Sequence, residues 1–184
     1  MGKASYHHGD LRTVILAEAA DLVAQRGADG VSLRELARAA GVSHAAPAHH
    51  FGDRRGLFTA LAEQGFRILA AELAAARPEF IDAAKAYVRF ALAHPGHFEV
   101  MFDRSLFDAT EPQVAQASLA ASNELNRGVG TLSDPHATAD PEGAALAAWS
   151  MVHGFAQLWL NKAIDTAGDP VATVERLAAI LFDG

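Results

Sequence analysis

Cysteine is absent from the 184 residues, which excludes disulfides, zinc fingers and thiol redox sensing. Runs of β-branched residues are absent as well, while Ala, Leu and Glu are abundant, so helices are favoured over strands. There is no excess of positive charge: 15 Lys and Arg face 22 Asp and Glu, for a net charge of −7, which in bulk does not suggest nucleic acid. A membrane-length apolar run is also missing. The most apolar segment, 144–160, carries Ser150, His153, Gly154 and Gln157 and is slightly short for a span, so it reads as a buried helix. The opening MGKASYHHGDLR lacks the apolar centre of a signal peptide, and a cytoplasmic protein is expected.

What is present is unevenly spread. Residues 1–56 hold seven Lys and Arg (Lys3, Arg12, Arg26, Arg34, Arg38, Arg54, Arg55) against six acids, giving +1. The remaining 128 residues hold eight against sixteen, giving −8. Five of the nine histidines also fall in the first 56 residues. Only this N-terminal third is electrostatically fit to approach phosphates, and a binder so weakly basic needs two copies.

Helical periodicity runs through the chain. Leu11, Val14, Ile15, Ala19, Leu22 and Val23 mark helix 1, about 10–26, with Asp10 as its cap and Gly27 at its end, behind a polar arm Lys3 to Gly9. Ser32-x-x-Glu35 is a capping box that starts helix 2. Gly41 breaks helix 2, Val42 plugs between the helices, and Ser43 caps helix 3, about 44–50, at helix-turn-helix spacing. Pro47 falls at the fourth position of that helix, the one proline placed inside a helix. Asp53 caps helix 4, 54–76, and Pro78 starts helix 5. His94-Pro95-Gly96 ends helix 5, and Phe98 to Phe102 form a short helix 6. Helix 7 runs from Pro112 to Arg127, residues 128–140 form the clearest loop, helix 8 spans 140–166, and helix 9 follows Asp169-Pro170. The expected fold is all-α, about nine helices, with a helix-turn-helix DNA-binding domain over 1–56 and a larger helical domain over 57–184.

Helix 1, Ser32-x-Arg34-Glu35-Leu36-Ala37, Gly41-Val42-Ser43 and His50-Phe51-x-x-Arg54-x-x-Leu57 together resemble the DNA-binding domain of TetR-type transcriptional regulators. Tyr6 to Arg12 is similar to one subgroup. Trp149-x-x-x-His153-Gly154, with Ala93-His94-Pro95-Gly96 through Met101-Phe102, resembles that subgroup's WHG-type C-terminal domain. The family usually has Tyr, approaching a phosphate, where this chain has Ala48, and Lys is commoner at the position of Arg54. The resemblance implies a ligand-responsive regulator, most simply a repressor, that binds a palindromic operator as a homodimer. It also makes 57–184 a helical ligand-binding and dimerisation domain, with an apolar cavity enclosed by helices 4 to 8 whose occupant moves helix 4.

A helix 3 laid in the major groove reads base edges through its first residues, which nominates Ser43, His44 and Ala45, with His49 beside them and the Ala45 methyl against thymine. Ser32, His50 and Arg54 are placed for phosphates, with Arg34 and Arg12 as weaker choices. Phe51 reads as core. Small residues on helix 8 (Ala144, Ala145, Ala147, Ala148) and the apolar stripe of helix 9 nominate those two helices for a four-helix dimer interface. Trp149, His153 and Gln157, at i, i+4 and i+8, with Tyr87, Phe98, Met101 and Phe102, nominate the effector site. The same residues also read as plain core, His153 included. His94-x-x-His97 is no metal motif, because Pro95-Gly96 breaks the helix that would put both histidines on one face. No Ser/His/Asp ordering or glycine-rich phosphate loop is visible, so neither a cofactor nor catalysis is expected. Two other functions fit parts of the pattern: a helical small-molecule enzyme or carrier, for which Glu99, Asp103 and His153 are the only catalytic material, and a helix-turn-helix that contacts protein.

Overall fold

The computed structural model describes residues 8–76, 79–165 and 167–182. Among them are ten α-helices and one 3₁₀ turn, with no strand: α1 His8–Arg26, the 3₁₀ turn Ala28–Gly30, α2 Leu33–Ala39, α3 Ala46–Phe51, α4 Arg54–Ala75, α5 Phe80–Ala93, α6 Pro95–Met101, α7 Pro112–Val129, α8 Pro135–Ala139, α9 Pro141–Leu160 and α10 Pro170–Phe182. The expected polar arm lies largely outside the described residues, as does Pro78 at the expected start of the fifth helix.

α1 begins at His8, so Asp10 lies inside it and does not cap it, and four other boundaries differ from the sequence expectation for local reasons. His94-Pro95-Gly96 starts α6 instead of only ending α5, because proline suits the first turn, where its missing N–H is not needed. All the described prolines (Pro47, Pro95, Pro112, Pro135, Pro141 and Pro170) sit at the first or second position of a helix. Pro47 is therefore no exception: α3 starts at Ala46. The expected loop 128–140 contains α8, where the Asp134 carboxylate accepts from the N–H groups of His136 and Ala137. Finally, α9 stops at Leu160. Ala163 N–H bonds the Leu158 carbonyl and Lys162 N–H that of Trp159, a Schellman closure. Lys162 holds its left-handed position at φ 53°, where glycine is the usual signal.

The helices form two compact units. One comprises residues up to 65 together with 94–115; the other comprises 66–93 with 116–184. In the first, α1 buries Ile15, Leu16, Ala19, Leu22 and Val23, and α6 packs along it. That packing is close enough that a Cβ on Gly96 would lie 2.0 Å from the Ala20 carbonyl oxygen. On its other side α6 meets α4: a Cβ on Gly65 would come within 3.1 Å of both His97 Cβ and Met101 Sδ. His97 is buried and bonds Gln64 Oε1 through Nε2 at 2.9 Å. In the second unit α5 packs against α9 and α10. Phe80 meets Phe182 edge to face at 4.8 Å between ring centres, and Lys85 pairs with Glu175 at 2.9 Å. The Thr131 hydroxyl, at the end of α7, accepts the Phe80 N–H and so caps α5.

Two predictions come from the seat of α6. Helix propensity alone would favour Gly96→Ala by about 1 kcal/mol. The clash with Ala20 outweighs it, and the variant is expected to lose about 3 kcal/mol of unfolding free energy in urea titration; a loss below about 0.5 kcal/mol would refute the close approach.

His97 supplies the second. Burial, with repulsion from His94 and a smaller opposing pull from Asp21, pushes its pKa down to about 4 from 6.5. The unfolded chain then binds a proton that the folded chain refuses, so stability is full above pH 6.5 and falls as the pH drops toward 4. Relative to pH 7.5, the protein at pH 5 is expected to lose roughly 2 kcal/mol that His97→Gln does not lose. Equal losses in both proteins would contradict a buried neutral imidazole.

Candidate functional site

Residues 32–54 form a helix-turn-helix whose geometry is set by caps. The Ser32 hydroxyl accepts the Glu35 N–H (3.2 Å) and donates to the Glu35 carboxylate (3.0 Å), starting α2. Gly41, at φ 66°, and Val42 close its far end: Gly41 N–H bonds the Arg38 carbonyl and Val42 N–H that of Ala37. This Schellman closure reverses the chain within two residues and makes the turn tight. The expected cap on α3 differs. Ala45, not Ser43, holds the N-cap position, and Ser43 contributes only its carbonyl, to Ala46 N–H at 3.0 Å. Pro47 and Phe51 are buried and seat α3, while the Arg12 guanidinium lies 5.2 Å from the centre of the Phe51 ring. Beyond α3, Gly52 turns the chain at φ 76° and Asp53 accepts the Gly56 N–H at 2.8 Å, capping α4.

With Pro47 and Phe51 inward, the rest of the segment faces solvent. Ser43, His44, Ala45, Ala48 and His49 are all exposed, and His50 is half-buried. Ala45, Ala48 and His49 stand at i, i+3 and i+4, on one face. Ser32 and Arg34 at the start of α2 are exposed too. Among Ser43, His44, Ala45, Ala48 and His49 the groups offered are a hydroxyl, imidazoles and methyls, with no carboxylate.

Arg54 is placed differently from a simple phosphate ligand. Its Nε donates to the Val31 carbonyl (3.1 Å) and its Nη2 to the Ala28 carbonyl (2.7 Å), and the guanidinium stacks 4.7 Å from the centre of the Phe58 ring. Most of this side chain braces the α1–α2 connection. Sequence reasoning missed that role because the partners are backbone carbonyls 23 and 26 residues away. A polar cleft of about 360 Å³ beside α3 is lined by Arg12, His50 and Arg55 but also by Glu63, Asp108 and Glu111. Its acidic side makes it a poor seat for phosphate.

The residues nominated for the effector divide between the units. Phe98, Met101 and Phe102 belong to the first; Phe98 and Met101 are buried, and the Phe98 and Phe102 rings stand 5.2 Å apart. Tyr87, Trp149, His153 and Gln157 belong to the second. There, Trp149 Nε1–H donates to the Tyr87 hydroxyl (3.3 Å), which lies 3.0 Å from His153 Nδ1. Burial pushes the Tyr87 hydroxyl well above the usual phenol range, with the Trp149 bond opposing, and burial lowers the His153 pKa. The three form a polar cluster anchored on α5 and α9, and Gln157 stands one turn further along α9. A second groove, of about 400 Å³, opens among α7, α8 and α9 on Val129, Leu132, Ala137, Pro141 and Ala145. Among the described residues, no three His, Asp or Glu side chains converge to hold a metal, and no helix is long and apolar enough to cross a membrane.

Comparison with known proteins places this geometry. Residues 15–61 match the family described as bacterial regulatory proteins, tetR family, and residues 80–181 match the tetracyclin repressor-like C-terminal domain. A solved protein with unknown function from Rhodococcus sp. RHA1 is 39% identical over 98% of this chain and 97% of its own, with a TM-score of 0.75. The TetR family transcriptional regulator PfmR from Thermus thermophilus is similar at 22% identity, over 92% of this chain and 97% of its own, with a TM-score of 0.67. NalD, the secondary repressor of the MexAB-OprM multidrug efflux pump in Pseudomonas aeruginosa, is similar at 22% identity, over 97% of each chain, with a TM-score of 0.64. At that identity the last two likenesses are ones of fold. No curated protein matches the sequence.

Proposed function

The chain belongs to the tetR family of bacterial regulatory proteins, and from that premise we propose that it is a homodimeric repressor that binds a palindromic operator and is released by a small, mostly apolar effector. The observation that carries the reading is the exposed face Ser43, His44, Ala45, Ala48 and His49, presented by a turn closed at Gly41 and Val42. Residues 1–56 are the DNA-binding part. Ser43, His44, Ala45 and His49 read base edges. Ser32, Arg34 and His50 contact phosphates, and Arg54 contributes from its braced position at the start of α4. Ala48, where the family usually carries a tyrosine, adds a methyl and no phosphate contact.

One copy of so weakly charged a face does not hold an operator; two copies, spaced about one helical turn of DNA apart, do. Support for α9 and α10, the last two helices expected from sequence, as the dimer surface comes from their apolar exposure. Leu146, Ser150, Gly154 and Leu158 recur every four residues on α9. Leu146 is 61% exposed and Leu158 46%, and Gly154 has open space where a Cβ would stand. On α10, Ile180 is 76% exposed and Leu181 55%. Large apolar side chains so exposed on neighbouring helices mark an association surface. The effector is assigned to the Tyr87, Trp149 and His153 cluster with Gln157, which offers aromatic area and a few hydrogen-bonding groups. It releases DNA by preferring the conformation that cannot bind.

The dimer is tested by Ile180→Glu with Leu181→Glu. Sedimentation is expected to show a monomer whose affinity for duplexes selected by the native protein falls by about a hundredfold or more. A variant that remains dimeric, or a monomer that binds as tightly, overturns the assignment, and a native protein that selects no duplex at low salt overturns the DNA reading itself.

The methyl contact is tested by replacing operator thymines one at a time with uracil. Loss of a methyl packed on Ala45 or Ala48 is expected to weaken binding roughly fourfold at one or two positions per half-site, about what burying a methyl is worth. Indifference at every position would remove these alanines from base recognition.

A further inference from the structure

The 3₁₀ turn between α1 and α2 has a capping problem that a distant residue solves. Gly27 precedes the turn at φ 75°, ψ 161° and has no side chain to accept the first N–H. That N–H belongs to Ala28, which is 4% exposed, so water does not satisfy it either. The acceptor is Glu99 of α6, 71 residues away, whose Oε1 takes the Ala28 N–H at 2.6 Å. This is a short, charge-assisted bond. From the other side Arg54 holds the Ala28 carbonyl at 2.7 Å and the Val31 carbonyl at 3.1 Å. The segment from Ala28 to Val31 is thus held between α6 and α4, and Ser32, the cap of α2, follows it directly.

We propose that Glu99 is a positioning residue for operator recognition: it acts as a remote N-cap that, with Arg54, sets where α2 and α3 stand relative to α1. The inference rests on the DNA reading above and adds a residue that lies outside the helix-turn-helix. Glu99 itself is well placed for the task because α6 has no freedom of its own. Gly96 sits against the Ala20 carbonyl, His97 bonds Gln64, and a Cβ at Gly65 would press on His97 and Met101 at 3.1 Å. The Glu99 carboxylate is therefore a fixed acceptor, and it anchors the turn that orients the recognition segment to the packed position of α6. Arg54 opposes it across the same residue, so the turn is held from both sides and does not follow either helix alone.

The test compares Glu99→Ala, which removes the acceptor, with Glu99→Gln, which keeps an oxygen at the same reach. Three quantities are read on the full-length protein: affinity for the duplex selected by the native protein, affinity for a random-sequence duplex, and hydrogen exchange of the Ala28 amide by NMR. Glu99→Ala is expected to quicken Ala28 exchange by about tenfold or more and to weaken selected-duplex binding by about tenfold. Random-duplex binding should stay within about twofold, because phosphate contacts carry it. Glu99→Gln should recover most of each loss. Unchanged Ala28 exchange overturns the cap. Faster exchange with unchanged selected-duplex affinity overturns the positioning role. Equal loss on both duplexes with a lowered melting temperature and no rescue by Gln reduces Glu99 to general stability and also overturns it. If the native protein binds no duplex, the DNA reading has failed, and the exchange measurement still decides the cap.

Discussion

A helix of six residues does not persist in water, because nucleating the first turn costs more than so few hydrogen bonds return. α3 is that short. Its shape comes from outside: Pro47 and Phe51 are buried, the Gly41 and Val42 closure fixes its approach, and Gly52 with Asp53 fixes its exit. The buried side chains consume one side of the helix, and the other side is what remains for DNA. Presentation and burial are thus the same constraint, since any change that loosens Phe51 also turns Ala45, Ala48 and His49 away from where they stand.

The unit that carries the recognition segment is larger than the motif. Residues 94–115 pack with the first 65, and α6 lies on α1 at a glycine. The DNA-facing third therefore has its own support from a segment that the chain order assigns to the body. α4 contributes residues to both units as one helix, and α6 touches α1, α4 and the α1–α2 turn within the first. Within this unit, α4 and α6 are both joined to Ala28 by side-chain bonds, from Arg54 and from Glu99.

Much of this was legible in the sequence where the cause is local. The Ser32 and Glu35 box, the Gly41 turn, the Asp53 cap and the inward Phe51 follow from residues a few positions apart, and the fold class and family follow from their combination. What escaped has distant or unusual causes. α9 ends on a lysine in a left-handed conformation, for which no residue preference gives warning. α8 depends on one aspartate inside a segment rich in turn formers. Arg54 has the composition of a phosphate ligand, and its partners are carbonyls that only the folded chain brings near. In the sequence Glu99 reads only as catalytic material; a cap supplied from 71 residues away leaves no spacing to read. The polar cluster at Tyr87, Trp149 and His153 was half visible: the α9 spacing was there, but the hydroxyl that joins the two side chains comes from α5.

The charge distribution sets how such a protein can hold DNA. The first 56 residues carry +1 and the rest −8, so in the proposed dimer the two DNA-binding parts total about +2 and the two bodies −16. At physiological ionic strength, potentials decay over about 8 Å, so acids several such lengths from the duplex contribute little at the surface of contact. Affinity must then come from groups at the face itself. Besides a few arginines these are hydroxyls and imidazoles, each weaker or less directional than a bidentate guanidinium contact. A face of this kind gains specificity less from any one strong bond than from holding many modest ones in register. Register is what the caps, the buried Phe51 and the two-sided hold on Ala28 supply. Small displacements of that frame therefore cost recognition more than they cost general attraction to DNA, which is the behaviour a ligand-controlled regulator requires.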